Sequence, residues 1–349
     1  MSKSILVLRY RFIGDTILTV PFLRNLRYAE PDAYIAWVVA PISSEVVYGI
    51  PYVDELIYWD PETIHADSRG THKNLRSKIE FIKMLRAKKF DKVYVLKRSL
   101  SSAIMAFLTG AKQRIGFDTE GRGFLLTKKV KYDHNRHEVQ NFLNVLSADG
   151  VAIKDDYLEA WLTEEEVLFG KKYFEEHNLG ERVVAIHPFA ANSKRAWHID
   201  NFISVSNKLR EEGYQSIFFG GLRDKNFKDY LKANVPADTC LAIGELKLRE
   251  TMAVLKRCKL LICNDSGIMH IAAALGVPII AIFGPQSPVK FGPYSSNKAV
   301  VIYKSFPCSP CKQKFFKECE PTDLMIPKCI AKVTADEVIE KSLEVLDEI

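Results

Sequence analysis

Residues that could carry acid–base or phosphate chemistry follow short apolar runs at several places in the chain. The first such segment is residues 9–16, where Asp15 lies between a predicted strand and a predicted helix. An aspartate at that point is commonly a helix N-cap, but it could also act as a general base toward an acceptor hydroxyl group. Helix amides would lower its pKa and burial would raise it. From the sequence, both roles stay open.

Two further segments could contact a nucleotide. In residues 187–197 a small polar loop leads to Lys194 and Arg195, either of which could neutralise a departing diphosphate. The other interpretation of that segment is a surface loop with two solvated cations. In residues 216–224 a strand ends at Gly220 and Gly221, which let a ligand approach the backbone. Asp224 could then accept hydrogen bonds from ribose hydroxyls, although a tight turn would explain the same residues.

The fourth segment, residues 263–270, is the most informative. A buried strand is predicted to end at Asn264 and Asp265, and Ser266 and Gly267 then begin an apolar helix. The free N–H groups and the positive dipole at the start of this helix would suit a diphosphate. Asp265 alone would be an N-cap, and His270 alone would be a core histidine. Together with the other three segments they predict a ligand site.

The elements that position these segments follow a regular order. Short β-type runs alternate with helical patterns, which is typical of parallel α/β sheets. Strands are predicted at residues 4–8, 33–40, 55–59, 92–97, 183–187, 216–220, 260–263, 277–283 and 299–303. The chain has 349 residues, a length that fits two domains.

We expect two Rossmann-like domains, at residues 1–165 and 182–349, with a polar linker between them. The first would bind the acceptor and the second the nucleotide-sugar, and the last helix would pack back on the first domain. Ligands of open α/β sheets collect at the carboxyl ends of the strands. Two such domains facing each other would therefore place their ligand loops in one cleft.

Positive charge is concentrated in the first half of the chain. The formal net charge is +6, and residues 1–150 alone hold 23 Lys and Arg against 16 Asp and Glu. Residues 69–98 contain eleven of these cations and only Glu80 and Asp91 as acids. This stretch could be a solvated helix face, or a surface for an anionic acceptor or anionic lipid headgroups. Nucleic acid is disfavoured because no aromatic-interleaved or helix-turn-helix pattern accompanies the charge.

Several other classes of protein are disfavoured. The N-terminus does not resemble a signal peptide, and no apolar run reaches the length of a membrane-spanning helix, so we expect a cytoplasmic protein. A dinucleotide dehydrogenase would carry Gly-x-Gly-x-x-Gly after the first strand. A P-loop kinase would carry Gly-x-x-x-x-Gly-Lys-Ser/Thr. The sequence contains neither motif at those places.

The ordered set of motifs resembles glycosyltransferase family 9, the ADP-heptose:lipopolysaccharide heptosyltransferases. The matching pieces span roughly residues 4–290 and are Ile13-Gly14-Asp15, Gln113-Arg114-Ile115-Gly116-Phe117, the His187-Pro188 loop with Lys194-Arg195-Ala196-Trp197, Phe219-Gly220, Asn264 to His270, and Ala281-Ile282-Phe283-Gly284-Pro285. Two positions depart from the family pattern. Ala196 interrupts Lys-Arg-Trp, which leaves the choice between Lys194 and Arg195 open, and Gln286 replaces a common Thr.

The resemblance implies a glycosyltransferase B fold and a metal-independent, inverting transfer of heptose from an ADP-sugar donor to a lipopolysaccharide core. It implies that Asp15 is the general base. The implied donor-binding residues are Lys194, Arg195, Asp224, Asp265, Ser266, Gly267 and His270. Candidate contacts of the anionic glycolipid acceptor are Arg11, Lys97, Arg98 and Arg114. We expect no catalytic cofactor, and peripheral contact with the inner membrane surface.

Four of the seven cysteines lie near the C-terminus: Cys308, Cys311, Cys319 and Cys329. This spacing could hold a structural zinc or iron ion, or the residues could be structural thiols.

Two alternatives to the transferase remain at this point. One is a nucleotide-sugar epimerase on the same architecture, which needs no second substrate. The other is a non-catalytic protein that binds anionic glycolipid through the basic half of the chain.

Overall fold

The protein is described by a computed structural model that covers residues 2–61, 70–294, 297–311, 314–317 and 319–349. The chain divides into two compact units, Met1–Tyr157 and Leu158–Ile349. Among the described residues, each unit contains one parallel β-sheet of six strands. Arg69, the first cation of the basic stretch 69–98, lies outside the described residues.

The first unit alternates strands and helices along the chain. Its strands are β1 (Ser4–Leu8), β2 (Tyr34–Val39), β3 (Glu55–Tyr58), β4 (Lys92–Val95), β5 (Gln113–Phe117) and β6 (Lys128–Val130). Its helices are α1 (Ile13–Ile17), α2 (Val20–Ala29), α3 (Pro41–Ser44), α4 (Leu75–Ala87), α5 (Leu100–Leu108) and α6 (Glu138–Ala148). A 3₁₀ turn, Arg122–Leu125, joins β5 to β6.

The second unit repeats this pattern. Its strands are β7 (Val183–His187), β8 (Gln215–Gly220), β9 (Cys240–Ile243), β10 (Leu260–Asn264), β11 (Ile279–Phe283) and β12 (Ala299–Tyr303). Its helices are α7 (Glu164–Glu176), α8 (Ile199–Glu211), α9 (Lys228–Asn234), α10 (Leu248–Leu255), α11 (Gly267–Leu275), α12 (Pro288–Phe291), α13 (Lys328–Ala331) and α14 (Ala335–Asp347). Two 3₁₀ turns, Ser193–Arg195 and Leu222–Phe227, follow β7 and β8.

Apolar strands covered by helices on both faces form the core of each unit. In β1 the four residues Ile5 to Leu8 are fully buried, and all five residues of β11 are fully buried as well. A parallel strand buried on both faces has a continuous apolar sequence rather than an alternating one. This explains why the central strands are the easiest elements to recognise from the sequence.

Both sheets have the same strand order. The order is β3-β2-β1-β4-β5-β6 in the first unit and β12-β11-β10-β7-β8-β9 in the second, which is the order of a Rossmann sheet in each case. The direction of strand addition therefore reverses between β1 and β4 and between β7 and β10. Ligands of such sheets bind in the crevice at the carboxyl ends of the two strands that flank this switch point.

Three strands, β5, β6 and β9, were not predicted from the sequence. β6 (Lys-Lys-Val) has only three residues, two of them exposed lysines, and β5 begins with the polar residues Gln113 and Arg114. The polar, helical segment expected to link the domains is helix α7, and Thr163 and Glu166 form a capping box at its first turn. The last helix, α14, packs against α8 and the sheet of its own unit.

Among the described residues, no helix combines the length and the apolar character needed to cross a lipid bilayer.

Candidate active site

In the first unit, Asp15 lies at the switch point of the sheet. It belongs to the short helix α1, which begins five residues after β1. Phe12 immediately precedes this helix with φ 64° and ψ 137°, a backbone conformation that L-residues rarely adopt, and its ring is exposed. The chain thus turns sharply at Phe12 and brings the Asp15 carboxylate back toward the end of β1.

Arg9 holds the Asp15 carboxylate. Arg9 Nη2 lies 2.6 Å from Asp15 Oδ1, and both side chains are largely buried. Burial raises the pKa of Asp15, and the charge of Glu138 raises it further, while the Arg9 guanidinium opposes both effects. A carboxylate in this position is more basic than an exposed one, and the paired arginine keeps it oriented.

Lys97 follows β4, on the other side of the switch point. Its ammonium group lies 4.1 Å from the centroid of the Tyr10 ring. Burial lowers the pKa of Lys97 to about 7, and the positive charges of Arg11 and Arg9 lower it further. The structure therefore brings Arg11 and Lys97 into the surroundings of Asp15.

Arg98 lies next to Lys97 and faces a buried carboxylate. Its guanidinium stacks 4.1 Å from the Tyr132 ring centroid, and its Nη2 is 3.7 Å from Glu138 Oε1. Tyr132 donates a 2.7 Å hydrogen bond to the same Glu138 oxygen. Glu138 thus adds a second carboxylate to the surroundings of Asp15, and the sequence analysis did not identify it.

Arg122 is a further cation that the sequence analysis missed. Its side chain is fully buried, and neither terminal nitrogen has a hydrogen-bond partner among the described residues. Burial lowers the pKa of Arg122, the charge of Glu120 opposes this shift, and the charge of Arg98 adds to it. Glu120 is exposed, and its carboxylate lies 3.9 Å from Arg122 Nη1 without a hydrogen bond. A buried guanidinium is costly unless it is well paired, so Arg122 and Arg98 together are suited to receive a further anion. No motif in the sequence signals this, because the burial depends on the turn after β5.

Arg114 is the one candidate acceptor contact that the structure places elsewhere. It is the second residue of β5, at the amino end of the strand, whereas the other candidates follow the carboxyl ends of β1 and β4. Its guanidinium donates hydrogen bonds to the carbonyl oxygens of Leu125 and Ala111, at 2.8 and 2.5 Å. The first bond holds the segment between β5 and β6, and the second holds the loop before β5.

In the second unit, Asn264 joins the two loops at the switch point. This residue ends β10 and is fully buried. Its side-chain amide donates to the carbonyl of Pro188 after β7, at 2.9 Å, and its Oδ1 accepts from the backbone N–H of Trp197, also at 2.9 Å. In the sequence Asn264 is only one residue of a motif. In the structure its side chain hydrogen-bonds both ends of the loop after β7 and so connects that loop to β10.

Asp265 and Arg195 form an ion pair across the same switch point. Arg195 Nη1 donates to Asp265 Oδ2 at 3.2 Å. Burial raises the pKa of Asp265, and the charge and hydrogen bond of Arg195 oppose that shift. Asp265 therefore fixes the position of the Arg195 side chain and neutralises its charge.

Lys194 is the second cation of this loop and has different surroundings. Its ammonium group lies 4.5 Å from the centroid of the Phe316 ring and 5.7 Å from that of Phe315. Among the described residues it has no carboxylate partner. Lys194 therefore carries a positive charge that the described carboxylates leave unbalanced.

Helix α11 begins at the same place. Gly267 is its first residue, and the hydroxyl oxygen of Ser266 is buried without a hydrogen-bond partner among the described residues. The helix has nine residues and its positive dipole end lies beside Asp265. His270 is buried one turn into the helix. Lys194, Arg195, Asp265, Ser266 and Gly267 are thus brought to one switch point.

Asp224 lies after the neighbouring strand β8. Its carboxylate accepts a 2.8 Å hydrogen bond from the backbone N–H of Gly221. Burial raises the pKa of Asp224, and this hydrogen bond and Arg223 oppose the shift. A side chain at Gly220 would collide with the Phe189 ring, since a Cβ there would lie only 2.7 Å away. Gly220 thus serves the packing of the loop after β7.

Three of the four C-terminal cysteines line a cavity in the second unit. The cavity has a volume of about 450 Å³, and its walls include Cys308, Cys319 and Cys329. Burial raises the pKa of Cys329 to about 11, and the neighbouring thiols of Cys308, Cys311 and Cys319 contribute to the shift. Within the described ranges, no group of three or more His, Cys, Asp or Glu side chains has a metal-binding arrangement. The structure therefore gives no support to a structural zinc or iron ion at these cysteines.

Comparisons with known proteins agree with this picture. The model of glycosyltransferase family 9 (heptosyltransferase) matches residues 79–319. Lipopolysaccharide heptosyltransferase 2 of Escherichia coli K12 is 27% identical over 320 residues, a match that covers 86% of this chain and 87% of that protein.

Two solved structures are similar over nearly the whole chain. A family 9 glycosyl transferase from Veillonella parvula has a TM-score of 0.84 and 27% identity, with 100% of this chain and 99% of that one covered. The ADP-heptose lipopolysaccharide heptosyltransferase II of Escherichia coli has a TM-score of 0.77 and 23% identity, with 99% of each chain covered. The predicted α/β fold with two Rossmann-like domains is confirmed.

Proposed function

The chain belongs to glycosyltransferase family 9, and on this premise we propose that it moves a heptose from ADP-heptose to a sugar hydroxyl of a lipopolysaccharide core acceptor, with inversion at the anomeric carbon. The similarity to lipopolysaccharide heptosyltransferase 2 over most of both chains supports this donor and this acceptor class. The basic side chains around Asp15 suit an anionic acceptor, and Lys194 with the start of α11 suits a diphosphate. The first unit binds the acceptor and the second binds the nucleotide-sugar.

One observation carries the proposal: each unit has a largely buried carboxylate–arginine pair at the switch point of its sheet. In the first unit the pair is Asp15 with Arg9, and in the second it is Asp265 with Arg195. Ligands of open α/β sheets bind at this point. A base and a diphosphate site are the two parts that a glycosyl transfer from a nucleotide-sugar requires.

In the proposed reaction, Asp15 accepts the proton of the attacking hydroxyl group. The hydroxyl oxygen forms a bond to the anomeric carbon of the heptose while the bond from that carbon to the diphosphate oxygen breaks, so ADP leaves with the electron pair. Because attack and departure occur on opposite faces, the configuration inverts. Arg9 orients the Asp15 carboxylate, and burial makes it a stronger base.

Lys194 and the start of α11 stabilise the departing ADP in this proposal. Lys194 is the stronger candidate of the two adjacent cations, because Asp265 already neutralises Arg195. Arg195 and Asp265 then position the loop, and Ser266 and Gly267 offer a hydroxyl and backbone N–H groups to the diphosphate. Asp224 binds the ribose.

The acceptor is anionic, and the first unit provides the matching charge. Arg11, Lys97 and Arg98 lie around Asp15, and the buried Arg122 lies beside Arg98. These side chains would bind carboxylate or phosphate groups of the core and hold its hydroxyl group near Asp15. Since the acceptor carries a lipid, the protein also contacts the inner membrane surface peripherally.

The decisive experiment incubates the protein with ADP-heptose in a buffer that contains EDTA, with and without a core acceptor. We expect ADP and an elongated acceptor of inverted anomeric configuration only when the acceptor is present. EDTA should not slow the transfer, since the proposed chemistry uses no metal. Conversion of the sugar on intact nucleotide without acceptor would favour an epimerase instead. No product with any donor, together with acceptor binding that ADP does not affect, would indicate a non-catalytic binding protein.

A further inference from the structure

Helix α5 is apolar on the side that faces solvent. Its inward residues Ala103 and Ala106 are fully buried, as a core-facing stripe should be. Four of its five exposed residues are apolar, with Ser101 as the polar one: Leu100 44%, Ile104 42%, Phe107 51% and Leu108 38%. A surface helix of a globular domain normally places charged or polar residues on that side. The outer face of α5 therefore needs another explanation.

The neighbouring 3₁₀ turn extends the same apolar surface. The turn Arg122–Leu125 packs against α5, and Phe124 at its tip is 76% exposed. We call Leu100, Ile104, Phe107, Leu108 and Phe124 the α5 patch. Single exposed apolar residues are common, but a cluster of five on two adjacent elements marks an interaction surface.

Cations border the α5 patch at the carboxyl end of the helix. The Arg114 guanidinium lies 5.4 Å from the centroid of the Phe107 ring. Arg86 of α4 reaches Gly110, since a Cβ at that glycine would lie 4.0 Å from Arg86 Nε. Lys112 in the same loop is exposed. Between Arg76 and Lys131 the chain has fifteen Lys and Arg against four Asp and Glu.

We propose that the α5 patch docks the protein on the surface of a bilayer that contains anionic lipid. Leu, Ile and Phe side chains would enter the boundary between headgroups and acyl chains, while the bordering cations bind anionic headgroups. Charge decides between this partner and a second copy of the chain. A symmetric contact through the patch would bring the two cationic borders together, and like charges repel.

The inference deepens the proposed function, and it rests on the membrane contact stated there. A lipid-anchored acceptor lies in the plane of the bilayer. The amino end of α5 follows Lys97 and Arg98 of the candidate acceptor site by only two residues. Docking through α5 would therefore present that site to the membrane surface.

Co-sedimentation with vesicles tests the inference. The wild-type protein should sediment with vesicles of phosphatidylethanolamine and phosphatidylglycerol, and much less with vesicles of phosphatidylcholine alone. The double variant Phe107→Ser/Phe124→Ser should bind the anionic vesicles ~10-fold more weakly, because two apolar side chains no longer enter the lipid. Both residues are exposed, so the variant should fold normally.

Matched controls come from the second unit. Leu168→Ser changes a leucine of α7 that is 66% exposed, and it should leave vesicle binding unchanged. Lys112→Glu should weaken binding to anionic vesicles, whereas Lys171→Glu, on α7, should have much less effect. Added salt should weaken the binding of the wild type.

Three results would overturn the inference. The first is equal sedimentation of the wild type with anionic and neutral vesicles. The second is equal vesicle binding by the double variant and by Leu168→Ser. The third is a wild-type dimer in sedimentation velocity that the double variant loses, which would assign the patch to self-association.

A water-soluble, delipidated acceptor separates this inference from the proposed function. On that acceptor the double variant should transfer heptose at the wild-type rate, within about twofold, because the α5 patch lies outside the reaction site. If the wild type transfers no sugar but still binds anionic vesicles, the proposed function fails and the docking surface stands. If transfer occurs without vesicle binding, only the docking surface fails.

Discussion

At the scale of single residues, the same combination occurs twice in the molecule: a buried carboxylate whose pKa is raised by burial and restrained by one arginine. In the first unit this combination orients Asp15, the proposed base, and raises the pKa of its carboxyl group. In the second unit Asp265 fixes Arg195 beside the start of α11. The same pair of residue types can therefore serve proton transfer in one place and loop positioning in the other.

Replacing the base should stop the reaction without preventing donor binding. We expect Asp15→Asn to lower kcat by ~10²–10⁴-fold, since the variant can no longer accept the proton. Affinity for ADP, measured by calorimetry, should stay within about threefold of wild type. The exposed Asp32→Asn is the matched control and should keep full activity. Wild-type turnover in Asp15→Asn would remove the assigned role.

Removing Arg9, the partner of Asp15, should shift the pH dependence of kcat/KM. Asp15 must be ionised to act, so kcat/KM falls as the pH drops through its pKa. Arg9 lowers that pKa, and Arg9→Gln should therefore shift the acid limb of the kcat/KM profile to higher pH. Arg136→Gln, a change at an exposed arginine outside the Asp15 surroundings, should not shift it. An unmoved limb in Arg9→Gln would show that another group controls the profile.

At the scale of the elements, the site depends on loops that follow the central strands. Those strands, β1, β7, β10 and β11, are continuous apolar runs and could be predicted from the sequence with the glycine and polar residues that end them. Asp15, Lys194 and Asp265 could be proposed for the same reason. Edge strands such as β6 are short and partly exposed, so their sequences carry no periodic signal.

Other parts of the site could not be predicted because they depend on long-range packing. Arg122 and Glu138 are ordinary charged residues in the sequence, and only the fold buries them near Arg98. Arg114 was expected among the acceptor contacts because it lies in a family motif, but its position at the amino end of β5 places it away from Asp15. The sequence indicates which residues follow a strand, but the position of an arginine side chain such as that of Arg122 or Arg114 depends on the folded structure.

The hydrogen bonds of Asn264 connect the end of β10 to the loop after β7, and their loss should be measurable. Asn264→Ala would leave the buried N–H of Trp197 and the carbonyl of Pro188 without their partner. We expect the free energy of unfolding to fall by ~1–3 kcal/mol in urea denaturation, with weaker ADP binding as the loop loses its position. The exposed Asn234→Ala removes a side-chain bond to the Tyr230 carbonyl and should change neither quantity much. Unaltered stability and ADP affinity in Asn264→Ala would contradict this role.

At the scale of the whole molecule, the chain repeats one architecture with two different chemistries. Both units have the same strand order. In the first unit, basic side chains surround the carboxylate of Asp15. In the second unit, the start of α11 and the ammonium group of Lys194 lie at the switch point. Each unit has its own apolar core. Ligand specificity therefore comes from the loops, and the two units can bind different ligands.

Hydrogen–deuterium exchange tests this division of roles. ADP at ~100 times its Kd should stabilise the unit that binds it by about 2.7 kcal/mol. We expect slower exchange around the loop after β7, the end of β10 and the first turn of α11, with little change in residues 2–157. UDP at the same concentration should protect these segments less. Protection confined to the first unit would reverse the assigned roles.

The backbone at Phe12 has a consequence for how this protein balances stability against activity. A non-glycine residue in this conformation costs about 1–3 kcal/mol, whereas glycine would adopt it freely at an entropic cost of ~1 kcal/mol. We therefore expect Phe12→Gly to leave the melting temperature unchanged or to raise it. If the same variant transfers sugar more slowly, the difference measures what the protein gains from an aromatic residue three positions before the proposed base. Selection for folding alone would have favoured glycine at this position.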